Sequence, residues 1–223
     1  SNGKYTAPLR QGNKGMSYVI IDGIKGVIRI EQASFTSPDF TYYFARSEDG
    51  KTTYIRSGTE IITSGSLETL NFIPIIFIGQ NRGYDDIPDL IAQQRAIVDH
   101  QKGNPKNKDG APRFIIVGLH TGTAESRSEL EAAMETEYGD QYINLREYMS
   151  TEGLPDAGID PTDEDKEMMF VGSTPASLMK DDKVHFNAIA YELIGKLIYR
   201  RMDELGYFNE VKAAIGGAMI PRD

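Results

Sequence analysis

The chain has no cysteine. Disulfides, thiol nucleophiles and cysteine metal sites are therefore excluded, and the redox compartment is left open. Histidine is scarce as well. His100, His120 and His185 are the whole complement, so a histidine-rich metal centre would have to gather nearly all of them. No apolar run is long enough to cross a bilayer, and the first residues lack the pattern of a leader peptide. Basic residues number 24 against 33 acidic ones, and the net charge of -9 argues against nucleic acid and anionic membranes as main partners. There is no internal repeat and no low-complexity tract.

What is present changes texture at about residue 65. Residues up to Gly15 are polar and glycine-rich and read as an arm. From 16 to 63 the pattern is that of β structure. Residues 18–21 and 27–30 flank Asp22-Gly23, and residues 42–46 and 52–56 flank Glu48-Asp49-Gly50. Asp-Gly between β-branched and aromatic runs is a local signal for a hairpin. Residues 59–63 add a further strand. After that come unbroken apolar runs at 72–78, 113–118 and 142–145, the pattern of strands covered on both faces in a parallel sheet. Helical patterns separate them, at 87–101 and at 126–138, the latter with Ser126 or Ser128 as N-cap. Residues 146–180 read as a long irregular segment with two short helices, one near 162–169. A last helix over 188–207 carries Ile194, Leu197, Ile198, Met202 and Leu205 as a core stripe. The alternation predicts a doubly wound α/β core over 66–207 behind a β-rich unit, with the domain boundary between 1–65 and 66–223.

Chemistry concentrates in two stretches. Asp181-Asp182-Lys183-Val184-His185-Phe186-Asn187 sets a carboxylate three residues before a histidine, directly ahead of a helix. A carboxylate there can accept from one ring nitrogen of His185 and leave the other to take a proton from a nucleophile. Its plainer reading is a charged loop and helix cap. Gly79-Gln80-Asn81 ends the first buried strand, at the edge where α/β sheets gather ligands. Gly79 permits a sharp turn, and the Asn81 amide is suited to donate to an oxyanion; a simple turn is the alternative. His120 ends the second strand at the same edge and, with Gln80, is expected to line a substrate pocket rather than to catalyse. The acids at 160–167 read as a helix start favoured by its dipole. Asp181, Asp182 and His185 would need several more ligands to bind a metal for phosphoester cleavage, so no metal site and no cofactor is assigned.

Gly79-Gln80-Asn81, then Asp182 and His185 about a hundred residues on with a closing helix, resemble the SGNH (GDSL-type) hydrolases. So do the stretch from Ala157 to Thr162 and Pro175-Ala176-Ser177-Leu178. The resemblance implies a flavodoxin-like three-layer α/β/α sandwich with a β-rich insertion, and ester hydrolysis on acyl or acetyl esters, acylated carbohydrate included. By position it makes His185 the general base, Asp182 its orienting acid, Asn81 an oxyanion donor and Gly79 the shaper of the turn. Two features depart from the family. Arg82 stands where it usually has an aspartate, and no Gly-Asp-Ser nucleophile block occurs anywhere. Neither Ser57, Ser66 nor Gly172-Ser173-Thr174 fits that role. The sandwich is therefore expected to be incomplete, lacking its first strand. The exposed strand edge is expected to be covered by the β unit, the N-terminal arm or a second copy. The competing expectation is a non-catalytic binding or scaffolding module with a degenerate cleft.

Overall fold

In the computed structural model, which describes residues 16–32, 40–101, 105–107 and 109–215, the chain divides into two units, Ser1–Asn71 and Phe72–Asp223. The expected N-terminal arm and the tail from Gly216 lie outside the described residues. The first unit is an antiparallel sheet of order β3-β2-β1-β4, built from β1 (Met16–Ile21), β2 (Ile24–Gln32), β3 (Phe40–Arg46) and β4 (Ile61–Thr63). Asp22 and Gly23 both take positive φ, 51° and 75°, as a tight two-residue hairpin between Ile21 and Ile24 requires. Val19, Ile21 and Ile28 share one face, where Tyr42, Phe44 and Ile55 close over them. Gly26 has no room for a side chain, because an added Cβ would lie 2.4 Å from both the Phe44 ring and the Ala45 carbonyl.

Residues 52–56 do not form the expected strand. The Arg46 guanidinium folds back to donate to the Lys51 carbonyl at 2.7 Å, and Ile55 packs onto the sheet core instead of extending the ladder beyond β3. The chain then joins the other side of the sheet, where β4 pairs with β1. Helix α1 (Ser64–Glu68) is capped by Thr63, whose hydroxyl accepts from Ser66 N, and it packs on β1 and β4. That packing carries the boundary past residue 65 to Asn71.

The second unit is mixed α/β around a parallel sheet of order β5-β6-β7: β5 (Ile75–Ile76), β6 (Ile115–Val117) and β7 (Tyr142–Ile143). Alternation along β6 divides the core in two. Ile116 and Phe114 join residues of α2 (Ile87–His100) and α3 (Ala124–Tyr138), whereas Ile115 and Val117 join those of α7 (Ala188–Glu204). Helices thus lie against both faces, and β6 is sealed from solvent. Among the described residues of this unit β5 is an edge strand whose one ladder partner is β6. On the face shared with α7, Ile75 is 49% and Phe77 38% exposed. The arm expected as one cover for this edge falls outside the described residues.

Between β7 and α7 the chain is more helical than its prolines and glycines suggest. Asn144 caps α4 (Leu145–Thr151), which runs into α5 (Gly153–Ala157), and α6 (Asp163–Phe170) follows from Thr162. The N-cap of α3 is Thr123, with Ser126 as its reciprocal partner in a capping box. Helix α8 (Asn209–Ala214) ends the described chain, tied back where Arg113 donates to Glu210 and to the Tyr207 carbonyl. No helix among the described residues is long and apolar enough to cross a membrane.

One ion pair locks α3 to α4. Arg146 donates through Nε and Nη2 to the two Glu131 carboxylate oxygens at 2.5 and 2.6 Å, with side chains 5% and 11% exposed. Its third nitrogen reaches the Gly172 carbonyl, and Asn144 adds a bond to Glu131. Removing one partner strands the other charge in the interior. Glu131→Ala is expected to lower unfolding stability by about 3–5 kcal/mol in urea melts. Asp163→Ala, at the exposed Lys166 pair, should change it little.

Candidate functional site

Three loops meet at the carboxyl edge of the parallel sheet, and hydrogen bonds tie them in series. The first leaves β5 through Gly79, Gln80, Asn81 and Arg82, a turn closed by Arg82 N donating to the Gly79 carbonyl at 3.0 Å. Gly79 needs its φ of 101°, and a Cβ there would press on Leu90 at 3.1 Å. The second loop follows β6 and holds His120 and Thr121. Gln80 clamps the two: its Oε1 accepts from His120 N at 3.2 Å, and its Nε2 donates to the Thr121 hydroxyl at 2.7 Å. The third loop precedes α7, and the His120 ring reaches it, Nε2 lying 3.1 Å from the Val184 carbonyl.

That contact fixes the His120 tautomer, since a carbonyl can only accept, so Nε2 carries the proton. The residue is 6% exposed, and Nδ1 is buried with no hydrogen-bond partner. The ring lies against that of Phe186, tilted by 39° with centroids 4.2 Å apart, and meets Phe77 edge-on. Burial pushes its pKa down; the Val184 contact opposes this, and His185 and Arg127 nearby add to it. His120 was expected on a pocket wall. The structure places it beneath the third loop, as a neutral strut.

The third loop owes its shape to Asp182. Oδ1 accepts from the backbone N–H groups of Val184 and His185, each at 2.9 Å, and Oδ2 lies 2.8 Å from His185 Nδ1. The three-residue spacing lets one carboxylate organise the turn and hold the ring together. The His185 N–H, the His185 ring and the Val184 N–H all hold the Asp182 carboxyl well below the usual carboxylate range. Lys183 completes the turn with φ of 54° and pairs with Glu164. Phe186, buried among α7 residues, anchors the loop from below. Asn187 then caps α7, accepting from Ala190 N at 3.0 Å and donating to the Ser177 carbonyl at 2.8 Å.

The His185 side chain is 65% exposed, and its Nε2 has no partner among the described residues. Asn81 is likewise exposed, and its amide has no partner among the described residues. Asn81 adjoins Gln80 and His185 adjoins Val184, so both belong to the tied loops at this edge. No serine hydroxyl among the described residues is hydrogen-bonded to His185. Ser173 donates to the Gly122 carbonyl and Thr174 to that of His120, so both are spent bracing the second loop. Ser66 is bonded within α1 and Ser57 is exposed in the β unit. No group of three or more acids and histidines among the described residues is placed to hold a metal ion.

Sequence reasoning missed a second brace. Asp165, fully buried, accepts from the backbone and hydroxyl of both Ser177 and Thr162. Burial alone would raise its pKa; these bonds outweigh it and hold the carboxyl down to about 2. Ser177 in turn takes the Asn187 amide, so α6 steadies the start of α7. The Thr162-x-x-Asp165 spacing of a capping box was the available signal, read only as dipole-favoured acids.

The sequence matches no family model, and no curated protein or solved structure is significantly similar to it.

The neutral His120 has a pH consequence. Its folded-state pKa lies below the usual 6.5, so the unfolded chain takes the proton first. The corresponding stability is complete above that value and is lost as pH falls from 6.5 toward the lowered one. Urea melts between about pH 7.5 and about pH 5.5 should show a steeper loss for the native chain than for His120→Phe. Equal slopes would remove the strut from this account.

Proposed function

We propose that this chain carries the acid–base half of an ester hydrolase of SGNH type, on a flavodoxin-like core. It acts on acyl or acetyl esters, acylated carbohydrate among them. The observation that carries the reading is the Asp182–His185 contact of 2.8 Å on an exposed ring whose second nitrogen has no partner among the described residues. Asp182 keeps the proton on Nδ1, and Nε2 is left to accept one from an attacking hydroxyl and return it to the leaving alcohol. The Asn81 amide, free at the same edge, donates to the oxyanion as the carbonyl becomes tetrahedral. The hydroxyl itself comes from a serine on a further segment or another polypeptide, whose strand pairs along the open side of β5. Water then hydrolyses the acyl-enzyme by the same histidine.

Without that serine, turnover by the chain alone is slow. Loss of the nucleophile removes on the order of a million-fold from a full triad, and the activity that remains is that of the His185 imidazole acting directly on a reactive ester or on the attacking water. The isolated chain is expected to hydrolyse p-nitrophenyl acetate weakly. His185→Ala should bring the rate to background, Asp182→Asn should lower it about ten-fold or more, and His100→Ala should leave it unchanged. Rates equal in the native chain and His185→Ala would overturn the reading. A second reading, a non-catalytic binding module, is favoured by the absence of any hydroxyl bonded to His185 among the described residues. It predicts no activity in either protein.

A further inference from the structure

Residues 180–185 form a turn that is tied chiefly to itself. Lys180 N donates to the His185 carbonyl at 2.7 Å, and Lys183 N to the Lys180 carbonyl at 2.8 Å. Asp182 takes the Val184 and His185 N–H groups and the His185 ring. At the base, Met179 and Phe186 pair as an antiparallel bridge, and both belong to the core that α7 lines. Beyond that base, two polar side-chain contacts join the turn to the rest of the molecule among the described residues. One is the exposed Lys183–Glu164 pair, of a kind that holds little. The other is the bond between His120 Nε2 and the Val184 carbonyl. The turn is a flap whose internal bonds persist whether it is seated or lifted.

The surroundings of His120 suit it to one proton and not two. Arg127 from α3 and His185 from the third loop are the charged or titratable neighbours that act on it. Phe77 and Gln80 from the first loop and Thr174 from beneath bring no charge. The Asp182 carboxylate is spent within the flap, and Nδ1 has no acceptor. A second ring proton would stand on a buried nitrogen without a partner, near a guanidinium. The Val184 carbonyl favours the charged ring, but burial outweighs it and the net shift is downward. Lifting the flap removes the cover over the ring, and in water the ring takes its second proton at the ordinary 6.5.

We infer that His120 latches this flap: with one ring proton it seats the turn that carries His185 against the sheet edge, and a second proton releases it. His120 is thus a positioning residue that touches no reacting atom. On release His185 leaves with Asp182 still bonded to it and parts from Asn81, which stays on the first loop. Acid disperses the two halves of the site without dismantling either. That this switches off proton transfer at His185 rests on the hydrolase reading; the latch itself does not. The ratio of lifted to seated flap rises by up to about ten-fold for each pH unit below 6.5, until the lowered pKa of the seated ring is passed.

The chain has three histidines, so each ring C2–H signal in an NMR spectrum is assigned by a single His→Gln variant. The full chain is titrated from about pH 7.5 to about pH 5.5 with a soluble gadolinium chelate present. Broadening of the His120 C2–H and of the Phe186 ring is expected to rise by up to about ten-fold per pH unit below 6.5, while the Phe114 ring, in the other core, stays protected. His120→Gln has an amide to donate to Val184 but takes no proton, and it should keep Phe186 protected throughout. His185→Gln should leave the effect in place. The native chain and His185→Gln decide the matter alone if His120→Gln does not fold. Phe186 protection that is unchanged by pH, that is lost equally in His120→Gln, or that fails together with Phe114 overturns the latch, as does an effect that vanishes in His185→Gln. None of these measurements uses an ester, so the latch and the hydrolase reading stand or fall separately.

Discussion

A single buried imidazole sets the geometry of the parallel sheet's carboxyl edge. His120 receives the β5 loop at its backbone, through Gln80, and delivers its ring proton to the Val184 carbonyl in the loop before α7. Only a neutral ring can do this comfortably. A second proton on Nδ1 would be buried with no acceptor. The rings of Phe186 and Phe77 lie against the imidazole, and its burial favours the neutral state. Everything exposed at this edge, Asn81 on one side and the Asp182–His185 pair on the other, is held at one remove from that ring.

The remaining charges are deployed as braces. Arg146 and Glu131 fasten α4 to α3 and, through Gly172, to the loop that supplies Thr174 beneath His120. Asp165 fastens α6 to Ser177, and Ser177 fastens Asn187 at the start of α7. Both knots are bidentate or fully satisfied, as burial of charge demands. The loop carrying His185 is therefore mobile only within limits set from two sides: by His120 at Val184, and by the α6 brace at Asn187. The exposed acid–histidine pair on so constrained a loop is held in place without being buried.

Much of this architecture is legible in the residues. The Asp22-Gly23 hairpin, the three apolar runs that become parallel strands, and the Asp182 to His185 contact each follow from local chemistry or spacing. Other parts are not local. Ser126 and Thr123 are both good caps three residues apart, and only the reciprocal bond between them decides which is first. Helix α4 starts on Asn144 directly after β7, with no polar spacer to announce it. Residues 52–56 have a strand's composition, yet Ile55 gains more by covering the core than by pairing. The burial of His120 depends on rings at positions 77 and 186, which no window around residue 120 contains.

The ladder at β5 is two residues long, Ile75–Ile76, beside a proline that has no N–H to offer. A visiting strand would find few main-chain groups to register against, which blunts indiscriminate pairing of the kind that drives fibres. Recognition at that flank would rest on how well an incoming segment's own side chains nest between Phe72, Ile75 and Phe77, so the selectivity of this border is written in shape rather than in backbone.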